Sequence, residues 1–219
     1  MKVKDIQVKR IDSRSANIFI RRCHYSGKVV PNSQLHFGCF IDSKLLGVMS
    51  FGPSINKKGT RLLIKNTDWN GFIELNRMAF SDSLPKNSES RCLSIALKLI
   101  KKHNPHIKWV VSFADGTQCG HGTMYQASNF ILTNIVENTA LRINPQTNKP
   151  MHIIQAHHKK ISSKKFRSFP LLTGHQFRYV YILDKKIAPS DYNFKPIPYN
   201  YIKDNNIGMY KGKKLASIA

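Results

Sequence analysis

The chain has 219 residues, of which 41% are hydrophobic, and 35 Lys+Arg stand against 12 Asp+Glu for a formal net charge of +23. That much apolar material excludes an intrinsically disordered chain, and the lack of any long apolar run or signal-like leader argues against membrane insertion and secretion. The charge exceeds what solubility needs and favours a polyanionic partner, with nucleic acid first among them.

Four cysteines, Cys23, Cys39, Cys92 and Cys119, are scattered without a CxxC pair, which fits a reducing cytoplasm and thiols that are mostly core or incidental. One domain over residues 1–184 is expected, followed by an extension over 185–219 that wraps on the core or stays partly mobile.

In chain order, Met1–Arg10 has the period of an edge strand. Asp12 or Ser13 caps a helix over Ser15–Arg22, which leaves the helical path at Cys23-His24-Tyr25-Ser26-Gly27. Gln34–Ile41 and Lys44–Phe51 read as a hairpin. Asn56–Asn70 is a basic, polar surface excursion with Trp69 near its end. Phe72–Phe80, Glu89–Lys102 and Lys108–Ala114 form a strand, a helix and a strand, the βαβ unit of a largely parallel sheet. Gly122–Ser128 is a short helix. Phe130–Val136 is a strand expected beside the one ending at Ala114, and Phe177–Leu183 is a strand expected to close the sheet. Between them, Arg142–Pro150 reads as a polar loop and Lys159–Arg167 as a basic hinge or lid. The whole is an α/β chain, a mixed central sheet with flanking helices, and its element order resembles the acyltransferase fold of the GNAT superfamily.

Ligands in such sheets bind at the carboxyl ends of the strands. The loop before the central helix carries Lys86, Asn87, Ser88 and Arg91, the parts of an anion site at a helix N-terminus. No glycine occurs between Asn76 and Asn104, whereas GNAT enzymes place a glycine-rich loop here. The donor is therefore held differently or is not coenzyme A. After the second strand come Ser112, Asp115, His121 and Tyr125. Tyr125 resembles the general acid that GNAT enzymes carry in the same helix. His24 and Tyr25 lie on the acceptor side, where His24 can serve as a base near neutral pH. His24, Asp115 and His121 also make a two-histidine, one-carboxylate set suited to iron(II) or another first-row metal.

Residues 138–183 contain no acidic side chain and eight basic ones. Lys159, Lys160, Lys164, Lys165, Arg167 and Arg178 are the expected DNA contacts, with Phe166 and Phe169 interleaved as stacking surfaces for a displaced base.

His24–Gly27, the "ELNRMAF" and "SD" of Glu74–Asp82, Pro85–Arg91, Val111–Asp115 and Gly122–Phe130 together resemble the Mom family of bacteriophage DNA-modification proteins. The resemblance implies a GNAT-like transferase that converts adenine in duplex DNA to N6-carbamoylmethyladenine and so protects the phage genome from host restriction. It implies a phage-encoded protein of the bacterial cytoplasm and a flipped adenine as acceptor. His24, Tyr25, Ser112, Asp115 and Tyr125 would line the reaction centre. The donor is left open, with acyl and aminoacyl carriers as candidates and iron as the candidate metal. Two alternatives remain: a GNAT-like acyltransferase acting on RNA or an aminoacyl acceptor, and a basic nucleic-acid-binding module without a reaction. Oligomeric state is not legible.

Overall fold

The computed structural model describes residues 3–210 and 213–215. Met1 and Lys2, at the start of the expected edge strand, lie outside the described residues, as do 211–212 and 216–219 of the expected extension. The chain divides into two compact units, the first made of Met1–Phe113, Thr123–Thr133 and Arg178–Ile197, the second of Ala114–Gly122, Asn134–Phe177 and Pro198–Ala219. Residues 185–219 are thus shared between both.

The first unit opens with a 3-10 turn and strand β1 (Gln7–Arg10), the outer strand of the sheet. Helix α1 (Ser13–Cys23) begins where the Asp12 carboxylate accepts the Ser15 backbone N–H at 2.9 Å, and Arg21 and Arg22 oppose the negative end of its dipole. Its buried Ala16 and Ile20 pack on Val48. Strands β2 (Leu35–Ile41) and β3 (Lys44–Gly52) are joined through Asp42 and Ser43, both at positive φ, as a tight hairpin of matching twist requires. Helix α2 (Lys57–Arg61) follows within the expected excursion. Then come β4 (Phe72–Phe80), helix α3 (Ser88–His103) and β5 (Trp109–Asp115), with β5 parallel to β4. Leu63, Ile64, Phe72, Trp109, Val111 and Val180 form the core beneath them.

Two details of β4 set the site. Ser50 pairs with Arg77 but Phe51 pairs with Leu75, so Asn76 is one residue too many, a β-bulge. A bulge bends its own strand and increases the local twist. The parallel pairing of β4 with β5 ends at Leu75–Ser112, immediately before that bulge, although β4 continues to Phe80. The strands split there.

The sheet order is β1-β2-β3-β4-β5-β9-β6, where β6 is Ile131–Glu137 and β9 is His175–Ile182. To the first unit β5, β9 and β6 give residues 109–113, 178–182 and 131–133. This corrects two expectations: β9 lies between β5 and β6, and β6, not β9, closes the sheet. The reason is burial. Tyr179 and Val180 of β9 are fully buried, as an inner strand demands, whereas β6 runs out into exposed Val136 and Glu137. The order and sense of the elements from β1 to β5 match the GNAT-like arrangement expected from the sequence.

In the second unit the expected polar loop is a hairpin, β7 (Leu141–Asn144) with β8 (Lys149–His152). The expected hinge is helical: α5 (Ile153–His158) and α6 (Ser163–Arg167) close on Met151, Ala156, Phe166 and Phe169. The unit ends with α7 (Asn200–Asp204) and the short pair β10 (Met209–Tyr210) and β11 (Lys213–Lys214). Among the described residues no helix is long and apolar enough to cross a membrane.

Candidate active site

Ser112 is the last residue of β5 paired to β4, and helix α4 (Thr123–Ala127) carries Tyr125 back over it. The Ser112 hydroxyl donates to Tyr125 Oη at 2.7 Å and also lies 3.3 Å from the Leu75 carbonyl. Both side chains are buried, and the tyrosine ring is held between Phe130 and Tyr179, with centroids 5.3 and 5.1 Å away. A hydroxyl pair thus sits at the point where the strands part.

His24 terminates α1, beside Arg77 of β4 just past the bulge. Its Nδ1 accepts the Ser26 backbone N–H at 3.1 Å and lies 2.8 Å from the Ser26 hydroxyl, which places the proton of the neutral ring on Nε2. Burial, then the Arg77 guanidinium, push its pKa down to about 4. The expectation of a base titrating near neutral pH is therefore corrected: at pH 7 His24 is a neutral N–H donor. Tyr25 leans on it, with centroids 4.2 Å apart, and is itself exposed. Arg77 donates to the carbonyls of Lys28 and Asn76. Glu74, one residue before the split, is held above the usual carboxylate range by burial, against hydrogen bonds from Ser54 and Asn76. A lone carboxylate within "FIELNRMAF" was the available signal for it.

A cavity of about 390 Å³ runs along α3 and the end of α4, lined among others by Asn87, Ser90, Arg91, Ser94, Lys98 and Tyr181. Asn87 and Arg91 were expected there. Lys86 is exposed and does not line it, and buried Ser88 donates its hydroxyl to the Pro85 carbonyl at 2.6 Å, so it has no proton for an anion. Asn87 sits at positive φ and makes no side-chain cap. Ser94 and Lys98 were missed, although Asn87, Arg91, Ser94 and Lys98 follow helical spacing as one polar stripe. Two cations and two serine hydroxyls fit an anionic donor group.

Asp115 and His121 belong to the second unit. The Asp115 carboxylate accepts from Thr117 N at 3.0 Å, Gln118 Nε2 at 2.9 Å and Asn138 Nδ2 at 3.4 Å, the bonding of a turn residue. His121 Nδ1 lies 2.9 Å from the Met209 carbonyl oxygen and 3.1 Å from Met209 N. Among the described residues no group of three or more His, Cys, Asp or Glu is placed to hold a metal, so the expected set of His24, Asp115 and His121 is not assembled.

Of the expected DNA contacts, Lys159, Lys160, Lys164, Lys165 and Arg167 are exposed in the turn after α5 and in α6. Arg178 is corrected to a structural role: its Nε donates to Thr133 Oγ1 at 2.9 Å within the first unit, and burial lowers its pKa. Phe166 and Phe169 are buried core residues and offer no stacking face.

The sequence profile of the Mom protein family matches residues 5–201. Over 137 residues the chain is 43% identical to the protein named methylcarbamoylase mom of Escherichia phage Mu, a match covering 62% of this chain and 56% of that relative's length. Among solved structures, a GNAT family acetyltransferase from Elizabethkingia anophelis with acetyl-CoA bound covers 81% of this chain and 98% of its own, at 12% identity and a TM-score of 0.48. The ribosomal-protein-S18-alanine N-acetyltransferase from Escherichia coli covers 82% and 94%, at 7% identity and a TM-score of 0.47.

Proposed function

The chain belongs to the Mom protein family, and from that premise we propose that it is a GNAT-like transferase that modifies adenine in duplex DNA to N6-carbamoylmethyladenine, the product masking the DNA from restriction. The observation that carries the reading is the buried Ser112–Tyr125 hydroxyl pair at the split between β4 and β5.

The chemistry that this pair has to assist is difficult. The adenine N6 lone pair is conjugated into the ring, so the amino group is a poor nucleophile and the donor must be activated. The N6–carbon bond forms as the bond from that carbon to the leaving group breaks. The leaving group departs with its electron pair and takes the Tyr125 proton, and the proton lost from N6 returns to Tyr125 through water. General-acid help of this kind contributes roughly 10²- to 10⁴-fold.

His24 Nε2–H presents a neutral donor to a ring acceptor of the flipped base, and exposed Tyr25 beside it offers a stacking face. Arg91, Lys98, Ser90 and Ser94 bind the donor's anionic part in the α3 cavity. Lys159 and Lys160 after α5 and the lysines of α6 take the phosphate backbone. The donor is a small molecule or a carrier-borne group whose methylene carbon bears the leaving group, because simple acyl transfer would join N6 to a carbonyl carbon and give an amide instead. No step is routed through a metal, because the side chains expected to ligate one are not grouped.

The test is nucleoside mass analysis of DNA from cells expressing the protein. A deoxyadenosine heavier by one carbamoylmethyl group is expected. Unaltered deoxyadenosine alongside an acylated RNA would favour the RNA acyltransferase, and unaltered nucleosides throughout would favour a binding module.

A further inference from the structure

The segment from Ile55 to Trp69 between β3 and β4 has no part in the reaction proposed above, yet its composition is unusual for a connection. Lys57, Lys58, Arg61 and Lys65 stand in it against one acid, Asp68. Three large apolar side chains are left in water: Ile55 at 83% exposure, Leu62 at 60% and Trp69 at 52%.

Looseness does not account for that exposure. Asn56 caps α2 by accepting Gly59 N–H at 3.1 Å, and Thr60, Leu63 and Ile64 are buried between the exposed residues. The 3-10 turn Pro189–Asp191 and the residues after it stitch the segment down further. Lys65 N donates to Asp191 O and Asn193 N to Leu63 O, both at 2.9 Å, and Ile64 bridges to Tyr192. A rigid platform is holding these side chains outward. On it Lys57 Nζ lies 4.8 Å from the Trp69 ring centroid and the Arg61 guanidinium 5.9 Å, so the flat ring and its cations form one surface. Beside it a recess of about 220 Å³ is lined by Arg61, Leu62, Lys65, Asn66, Thr67 and Asn193.

A surface with several cations and flat apolar faces, nearly free of acid, matches a polymer with phosphates on its outside and sugar and base edges between them. We infer that the Ile55–Trp69 platform is a second DNA-contacting surface, which binds the duplex flanking the target base. Lys57, Lys58 and Arg61 neutralise phosphates while Trp69, Leu62 and Ile55 cover the deoxyribose between them. Position agrees with this. The platform feeds directly into β4, whose first residue, Phe72, lies about 10 Å along the strand from the split at Leu75. The inference rests on the reading that the chain acts on DNA, but it concerns a surface that the reaction itself does not use.

Tryptophan fluorescence tests it directly, because the other tryptophan, Trp109, is fully buried and serves as an internal reference. The full chain is titrated with a 20-base-pair duplex while anisotropy of the labelled DNA reports binding and acrylamide quenching reports Trp69. Loss of acrylamide access at saturation is expected, with Trp69→Phe abolishing the change. The Lys57→Gln/Arg61→Gln double variant should bind more weakly and lower the slope of log K against log salt by about 2, at roughly 0.9 per phosphate contact. Nucleoside mass analysis of DNA modified in cells is run alongside. Binding by anisotropy with Trp69 still fully quenchable, and an unchanged salt slope in the double variant, would overturn the platform and leave the transferase reading intact. Unmodified nucleosides with Trp69 protected would do the reverse. Protection by anionic lipid vesicles or by poly-glutamate, but not by duplex, would assign the surface to another partner and end the inference.

Discussion

Tyr125→Phe separates chemistry from scaffolding. The substitution removes one oxygen and keeps the ring between Phe130 and Tyr179. Ser112 loses the acceptor at 2.7 Å but retains the Leu75 carbonyl at 3.3 Å, so its proton is not stranded. The cost in stability is that of one hydrogen bond with the remaining donor still satisfied, about 1 kcal/mol. For a chain of this size that lowers Tm by roughly 2–4 °C. If Tyr125 supplies the proton to the leaving group, modification falls by about 10²- to 10⁴-fold. Thermal unfolding of the purified variant and the modified fraction of deoxyadenosine in cellular DNA measure the two effects separately. Modification at the wild-type level would remove Tyr125 from the reaction. A Tm lowered by ten degrees or more, with activity falling only in proportion to folded protein, would make it a packing residue.

Other outcomes follow from the same geometry. His24 has a folded pKa pushed down to about 4 from 6.5, so the unfolded chain binds its proton first as pH falls. Its contribution is present above pH 6.5 and is lost between there and pH 4, roughly 3 kcal/mol in total at 1.36 per pKa unit. His24→Gln should flatten that part of the wild-type difference in denaturant midpoint between pH 7 and pH 4; identical pH profiles would contradict the assignment. Lys98→Gln and Arg91→Gln should raise the donor concentration needed for half-maximal modification without changing duplex affinity, and the opposite pattern in a filter-binding assay would move the donor elsewhere. Replacing Lys159, Lys160, Lys164 and Lys165 by Gln should cut the salt slope of DNA binding by up to about 3.6 at 0.9 per contact, with little change in Tm. Arg178→Gln should instead lower Tm by breaking its bonds to Thr133, and calorimetry with salt titration distinguishes the two classes.

What could be read from the sequence was whatever depends on near neighbours. The bounds of β4 and the capping of α1 by Asp12 follow from alternation and from an acceptor placed three residues before a free N–H. The hairpin at Asp42-Ser43 follows from turn chemistry. Strand neighbourhood does not, because β6 and β9 are both apolar runs and only the burial of Tyr179 and Val180 decides which is inner. Phe166 and Phe169 misled for a similar reason: lysine-rich surroundings suggested exposure, but the small core of Met151 and Ala156 takes them in. At the site, Ser112 and Tyr125 were legible as residues, but their bond is not, since it depends on α4 turning back over β5. The His24 proton was misjudged because its state is set by burial and then by Arg77, which is far away in sequence.

The Asn76 bulge links these successes and failures. Nothing in "FIELNRMAF" requires an extra residue, and the alternation that identified the strand says nothing about where its partner leaves it. Once Asn76 is inserted, Phe51 meets Leu75 where Ser50 meets Arg77, and β4 bends at the place where β5 ceases to pair with it. Ser112 is then the last paired residue, and Tyr125 reaches its hydroxyl at the opening. The same bend carries Arg77 to the end of α1, where burial and then its charge keep His24 neutral. One irregularity in pairing therefore places both the proposed proton donor and the proposed base-recognition residue. The chemistry depends on a backbone feature that side-chain pattern leaves unwritten.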